Sequence, residues 1–502
     1  MKIHIGRMLY DRAYLNPGRE AFVGAGYRFD FSQVNDRANR FSAFLKKCRL
    51  GSGDRIAALC KNNEHATTAM FGAAKVGLIT VMLNWRLQAP ELIYILKDST
   101  ALLVLYDSEF ASVIEQIRQQ IPAKLFLRVG GSGPDTEFEA SLADQPASEP
   151  DYAGGGEDPA VLIYTSGTTG KPKGVMLTHE NLFWASIGLI HTVDWSHRYR
   201  FLSVAPLFHI GGLAPIFGNV HAGCATVYMP NFDPVKIWDM MVAEKINFMM
   251  TVPAMLQFML MAPDIHLKDL STIKHIVCGG SAVSQNLIIA YDKMGIKIDQ
   301  VYGITEYSGA VSFWTADMGM DKSHSMGKSV YHGHVKILRP ETGEELPVGE
   351  VGEICCFGPQ IFKGYWNNPE ATHAAIGKGY YRSGDMGKLD AGGYVYVVDR
   401  LKDMIISGSE NIYPAELEQV IMTHPGVADV AVVGKPDPKW GEIPVAFIVA
   451  KPGLEIKPEE IIALCRKNLA GYKCVKEVRY VDIIPRNAVN KVLKTELRAK
   501  FI

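Results

Sequence analysis

No two of the eight cysteines are spaced Cys-x-x-Cys, and Cys355 and Cys356 are simply adjacent. That pattern offers neither a zinc-ligand pair nor a disulfide framework, so it predicts a reducing, cytoplasmic setting. An excess of either charge is also missing: 52 Lys and Arg against 53 Asp and Glu leave a net charge of −1. A nucleic-acid partner held by bulk electrostatics is therefore not expected. Long apolar runs are scarce. The best candidate, 246–263, is interrupted by Pro253 and diluted by Asn247, Thr251 and Gln257, which makes it a poor membrane span. Residues 1–19 carry Arg, Asp and Glu without an apolar core, unlike a signal peptide. Two familiar nucleotide motifs are absent as well. A phosphate loop of the Gly-x-x-x-x-Gly-Lys-Ser/Thr type fails because Pro172 follows Lys171, and Gly51-Ser-Gly-Asp-Arg-Ile fails the dinucleotide pattern at its last position.

What is present begins at Tyr164-Thr-Ser-Gly-Thr-Thr-Gly-Lys-Pro-Lys-Gly174. Strand-like apolar runs flank it, so it reads as a turn between strands. Thr165, Ser166, Thr168 and Thr169 supply hydroxyls, Gly167 and Gly170 allow close backbone approach, and Lys171 and Lys173 add positive charge. Consecutive N–H groups with hydroxyls make a cradle for anionic oxygens, and a lysine ammonium suits phosphate. An ordinary polar hairpin would leave this density of donors without a reason.

At 502 residues, 48% hydrophobic and 21% charged, the chain is long enough for a large domain and a smaller one. Alternating helical and strand-like periods run from Phe31 to Tyr106, then 201–231 and 247–302, which predicts parallel sheets with covered faces. The stretch 130–156 reads as a surface connection. Short β-prone runs broken by Gly, Pro and Asn over 333–399 suggest an antiparallel or barrel-like piece. The charged remainder reads as a small α+β domain, giving a boundary of 1–399 and 400–502.

Further polar groups sit where strands should end. Tyr302-Gly-Ile-Thr-Glu306 follows a strand-like run, and ligands collect at the carboxyl ends of parallel strands. Glu306 is the kind of oxygen ligand Mg²⁺ takes beside phosphates. His209 in Pro206-Leu-Phe-His-Ile-Gly-Gly212, Gly279-Gly-Ser281, Tyr381-Arg-Ser-Gly-Asp385, Asp399-Arg-Leu-Lys-Asp403, Gly408-Ser409 and Pro485-Arg-Asn-Ala-Val-Asn-Lys491 complete the set. Taken singly, most of these read as well as capped strand ends or solvated charges.

In this order and spacing they resemble the adenylate-forming family of acyl-CoA synthetases, luciferase and peptide-synthetase adenylation domains, with fatty acyl-CoA ligases nearest. The resemblance spans nearly the whole chain and implies a mixed α/β fold with a small mobile C-terminal domain. It implies that Thr165, Ser166, Gly167, Thr168, Thr169, Gly170 and Lys173 bind ATP phosphates, with Thr165 and Glu306 holding Mg²⁺. Gly280, Ser281, Tyr302, Gly303 and Thr305 would border the adenylate, and Asp385 and Arg400 its ribose and phosphate. His209 would position the acyl carboxylate, Lys402 would be the hinge, Gly408 and Ser409 would pass the pantetheine arm of coenzyme A, and Lys491 would contact the carboxylate and α-phosphate. Three positions depart from the pattern: Ser281 stands for a common alanine, and Ser409 and Asn490 for glycines.

The implied activity is ATP-dependent joining of a carboxylic acid to coenzyme A through an acyl-adenylate, releasing AMP and pyrophosphate. A medium- or long-chain fatty acid is favoured, with an aryl or cyclic acid second. A nucleotide-binding homologue without turnover and a carrier-loading adenylation enzyme belong to other classes. The sequence leaves monomer and homodimer open, and leaves open peripheral membrane contact.

Overall fold

The structure, a computed structural model, describes residues 2–165, 172–281, 283–407, 410–438, 440–469, 471–486 and 492–501. The fold is mixed α/β, with a large N-terminal domain of parallel sheets and a smaller C-terminal domain. Contacts divide the chain into two compact units. One holds Met1–Val335, Cys355–Arg382 and Gly393–Val395, and the other holds Lys336–Ile354, Ser383–Gly392 and Tyr396–Ile502.

Two large sheets build the first unit. A nine-stranded sheet runs in the order Lys328–Ser329, Gly309–Trp314, Lys297–Ile304, His275–Gly279, Phe248–Thr251, Arg200–Ser203, Ala225–Tyr228, Glu20–Gly24, Tyr27–Asp30. Its centre is parallel: Phe248 pairs with Phe201 and His275, and His275 with Lys297. The strand Phe248–Thr251 and the helix after it divide the apolar stretch 246–263. Pro253 lacks an N–H, cannot extend the ladder, and starts the helix Pro253–Leu260 at its first position instead. Met249 and Met259 disappear into the core beside Trp238 and Tyr291. No helix among the described residues is long and apolar enough to cross a membrane.

An eight-stranded sheet runs in the order Gly364–Tyr365, Lys173–Thr178, Pro159–Thr165, Ile79–Met82, Arg55–Leu59, Leu103–Asp107, Leu125–Val129, Thr136–Glu137. Asn62, just past the strand Arg55–Leu59, links the two sheets at their carboxyl ends. Its amide nitrogen donates to the carbonyls of Ser203 and Ala205 at 3.1 and 2.8 Å, and its oxygen accepts from the Leu207 N–H at 3.2 Å. The loop leading to His209 is fixed by that buried side chain.

The stretch 130–156, expected as a surface connection, holds the strand Thr136–Glu137 and the helix Phe138–Ala143. Phe138 supplies the reason: it is fully buried, with its ring 5.4 Å from those of Phe41 and His65. The β-rich region forms a four-stranded sheet in the order His334–Leu338, Gly352–Phe357, Tyr381–Leu389, Val395–Arg400.

The second unit has its own α+β core. The strand Gly441–Ala450 pairs antiparallel with Val427–Asp437 and parallel with Glu477–Tyr480. The helices Pro414–Met422 and Pro458–Asn468 bury Leu417, Ile421, Ile461 and Cys465 against Val430, Val432, Ala446 and Ile448.

Candidate active site

Thr165 ends the strand Pro159–Thr165 and pairs in antiparallel register with Lys173, so the polar turn lies between them. Residues 166–171 lie outside the described residues, and with them the assignments to Ser166, Gly167, Thr168, Thr169 and Gly170. Lys173 sets its ammonium over the Tyr365 ring, 5.1 Å from the centroid. The Tyr365 hydroxyl donates to Glu306 Oε1 at 2.8 Å. The Glu306 carbonyl in turn accepts the Phe362 N–H at 2.9 Å. Lys173 and Glu306, which belong to separate motifs, are thus brought together through a residue that the sequence did not single out. Burial, then the Glu306 charge, pushes the Tyr365 phenol far above its ordinary range, so it stays a donor. Tyr365 carries no motif of its own; with Gly364 it joins the sheet beside Val175 and Met176.

Tyr302, Gly303, Thr305 and Glu306 occupy the carboxyl end of the strand Lys297–Ile304 and the single turn after it. Gly303 lies tight against the Gly309 carbonyl, which a Cβ would approach to 2.9 Å. The neighbouring parallel strand ends at Gly279, followed by Gly280 and the exposed Ser281. Gly280 takes φ +85°, a left-handed conformation that glycine adopts without strain.

His209 stands at the N-cap position of the helix Ile210–Ala222 without a side-chain capping bond, and lies against Phe208, ring centroids 4.5 Å apart. Burial, then the charge of Arg86, lowers its pKa to about 4, so the imidazole is neutral at pH 7. Its Nε2 is buried and meets no partner among the described residues. Buried polar atoms in native proteins are nearly always bonded, and an orphan calls for a ligand or a reason.

In the second unit, Asp385 is buried on the strand Tyr381–Leu389, and its N–H donates to Ser383 Oγ at 3.0 Å. Arg400 ends the strand Val395–Arg400, and Lys402 sits in the short turn Leu401–Asp403; their side chains lie outside the description. Asp399, one residue earlier, serves the fold: its Oδ2 accepts the Ala415 N–H at 2.7 Å and caps the helix Pro414–Met422. Gly408, Ser409 and Lys491 lie outside the described residues. Of the residues flanking that stretch, Arg486 donates to the Asp429 carboxylate at 2.8 Å, and the Leu493 N–H donates to the Pro485 carbonyl. Lys494 is engaged by Glu418 at 2.9 Å.

A cavity of about 870 Å³ opens at the other end of the nine-stranded sheet, lined by His275, Lys297 and Asp299 among others. Those residues begin their strands, whereas the polar motifs gather where the strands end. The cavity therefore does not coincide with the candidate site.

The AMP-binding enzyme model matches residues 9–366, and the AMP-binding enzyme C-terminal domain model matches 416–491. The chain belongs to the AMP-binding enzyme family. Within that family it is similar to the long-chain-fatty-acid–CoA ligase FadD13 of Mycobacterium tuberculosis, with 38% identity over 99% of this chain and 98% of the relative. It is 36% identical to a feruloyl-CoA synthase of an Amycolatopsis species over 98% and 97% of the two chains. The crystal structure of ATP-bound MatB from Rhodopseudomonas palustris superposes with a TM-score of 0.91 at 29% identity, covering 100% of this chain and 99% of the other. This AMP-binding enzyme is an acid–thiol ligase of the AMP-forming class, which uses ATP and coenzyme A and passes through an adenylate.

Proposed function

We propose that the acid is a fatty acid of medium or long chain, activated and transferred by the residues named above. The observation that carries acid binding here is the buried, unpartnered Nε2 of a neutral His209. As an N–H it can donate to a carboxylate oxygen and fix the acyl group without bringing a charge. The apolar Met250 near that helix start, and the similarity to a fatty-acid ligase, favour an alkyl tail.

A carboxylate oxide is a poor leaving group for thiol attack. One carboxylate oxygen therefore attacks the α-phosphorus of ATP, and the bond to pyrophosphate breaks. The sulfur of coenzyme A then attacks the acyl carbon, and AMP departs with the electron pair of the broken C–O bond. The chain contributes position and charge, with no side-chain nucleophile. Thr165–Lys173 and Lys491 face phosphate oxygens; Gly280, Ser281, Tyr302, Gly303 and Thr305 border the adenylate, and Asp385 and Arg400 its ribose. Lys402 is the hinge at a boundary near 399–400, and Gly408 and Ser409 line the pantetheine path once the small domain has turned. Glu306, oriented by Tyr365, and Thr165 offer the hard oxygens that Mg²⁺ takes. A bound Mg²⁺ would there offset phosphate charge.

The test is pyrophosphate release over a panel of alkyl and aryl acids, with coenzyme A or a phosphopantetheinyl carrier as acceptor. Lys491→Ala is expected to abolish adenylate formation while sparing thioester formation from supplied acyl-adenylate. Equal loss of both half-reactions contradicts the role given to Lys491. Preference for aryl acids replaces the fatty-acid reading, and no ATP-dependent signal with any acid leaves only nucleotide binding.

A further inference from the structure

The helix Ala89–Ser99 holds none of the polar motifs, yet it bonds beside each of the three neighbouring strands that carry Thr165, Lys173 and Tyr365. Asp98 makes two of these links. Its Oδ2 accepts the Tyr164 hydroxyl at 2.6 Å, and its carbonyl accepts the Trp366 indole N–H at 3.1 Å. Tyr164 directly precedes Thr165, and Trp366 directly follows Tyr365. Tyr94, four residues before Asp98 and so on the same face of the helix, makes the third. Its hydroxyl donates to the carbonyl of Pro172 at 3.3 Å, next to Lys173.

Gly174 lets these groups converge. The Trp366 N–H donates to its carbonyl at 2.7 Å, and a Cβ there would sit 3.0 Å from Tyr164 Cζ and 3.2 Å from Trp366 Cβ. Tyr94, Tyr164 and Trp366 also pack against one core that includes Ile95 and Leu96. Each ring is thus held by packing along its body and by a hydrogen bond at its polar atom. Burial, then the bond to Asp98, pushes the Tyr164 phenol far above its ordinary range, so it stays a donor. Thr165 and Lys173 are register partners, so fixing Tyr164 and Pro172 fixes both members of that pair. Trp366 does the same for Tyr365, on whose ring the Lys173 ammonium rests.

The geometry points to Tyr94 and Asp98 as positioning residues that hold Thr165 and Lys173 in place for the phosphates of ATP. The inference rests on the phosphate-binding roles given to Thr165 and Lys173 above. Its test is the dissociation constants of ATP, with Mg²⁺, and of AMP, measured by calorimetry on the full chain. AMP lacks the two outer phosphates, so slack between Thr165 and Lys173 weakens ATP selectively. Tyr94→Phe and Tyr164→Phe, which keep their rings, and Asp98→Ala are each expected to weaken ATP roughly 3- to 10-fold, the range of one hydrogen bond, and to leave AMP nearly unchanged. Asp98→Asn, which retains an acceptor oxygen, is expected to recover most of the loss. A merely structural role lowers Tm and weakens both nucleotides together. The two Phe variants still read the effect should Asp98→Ala fold poorly. Thr165→Ala and Lys173→Ala tell the two levels apart. If these two weaken ATP relative to AMP while the Tyr94, Tyr164 and Asp98 variants do not, this inference alone is overturned. If Thr165→Ala and Lys173→Ala leave the ratio of the two constants at its wild-type value, the phosphate reading is overturned and this inference with it.

Discussion

Two histidines at opposite ends of one sheet, one buried and one half-buried, differ in what their ring nitrogens meet. His275 begins its strand, with Nδ1 2.7 Å from Asp299 Oδ2 and Nε2 2.8 Å from the Asp194 carbonyl. Phe248 lies parallel to its ring, centroids 5.5 Å apart and planes 3° apart. His209, beyond the carboxyl ends, has an Nε2 with no partner among the described residues. Burial alone does not mark a functional histidine; unused bonding capacity does. His275 also borders the large cavity, yet its bonds are all made. At the carboxyl end the buried Nε2 of His209 is left without a partner among the described residues.

The comparison breaks most sharply at His275. His275→Ala leaves Asp299 buried without its partner, and removing one member of a buried pair costs roughly 3–5 kcal/mol. The expected result is a large drop in the denaturation midpoint with kcat/KM, measured where the variant is still folded, close to wild type. A variant of normal stability and crippled turnover would transfer the catalytic reading to the wrong end of the sheet.

Much of this was legible because strand-end chemistry is local. Tyr302 to Glu306 stands where a strand-like run stops, and the structure ends a strand there. Pro253 divides its apolar stretch as a proline must. What stayed hidden is long-range pairing. Tyr365 reaches Glu306 across 59 residues, and neither its neighbours nor its periodicity announces the bond. Asn62 fixes the loop before His209 through partners more than 140 residues away, and a lone asparagine in a sequence reads only as a turn or a cap. Asp399, beside Arg400, was given no role by the sequence, and its carboxylate accepts the N–H of Ala415, 16 residues on, in the helix Pro414–Met422. In the 130–156 stretch, glycine and serine content outvoted one aromatic, Phe138, that the core required.

pH sharpens the comparison next. His209 titrates near 4 in the folded chain because burial, then Arg86, disfavours its charged form. Unfolded, it titrates at the ordinary value near 6.5. The unfolded state therefore binds the extra proton first, so stability is fully present above pH 6.5 and is lost as pH falls from there towards 4. For His209 alone the limit is about 3 kcal/mol. His221, held near 4, and His179, held near 3, both chiefly by burial, carry the same sign. Urea midpoints measured from pH 7 to pH 4 are expected to fall in wild type and to fall less steeply in His209→Gln. Parallel curves for the two proteins would show that His209 is not the neutral, buried group described here.

The smallest effect is the most diagnostic. His209→Ala removes a ring whose Nε2 bonds nothing among the described residues, so no internal hydrogen bond of that atom is lost there. The substitution does empty space beside Phe208, which lies against Trp85 at 6.0 Å, so a modest drop in Tm is expected. Turnover tells more. If Nε2–H holds an acid oxygen, its loss is expected to lower kcat/KM for the acid by roughly 10- to 100-fold, about 1.4–2.8 kcal/mol, while KM for ATP changes little. His209→Gln, which can place an N–H near the same spot, is expected to recover part of that loss, whereas His209→Phe, which keeps the ring without the donor, is not. Equal activity in the Gln and Phe variants would reduce His209 to a packing residue and leave its orphaned nitrogen without a role.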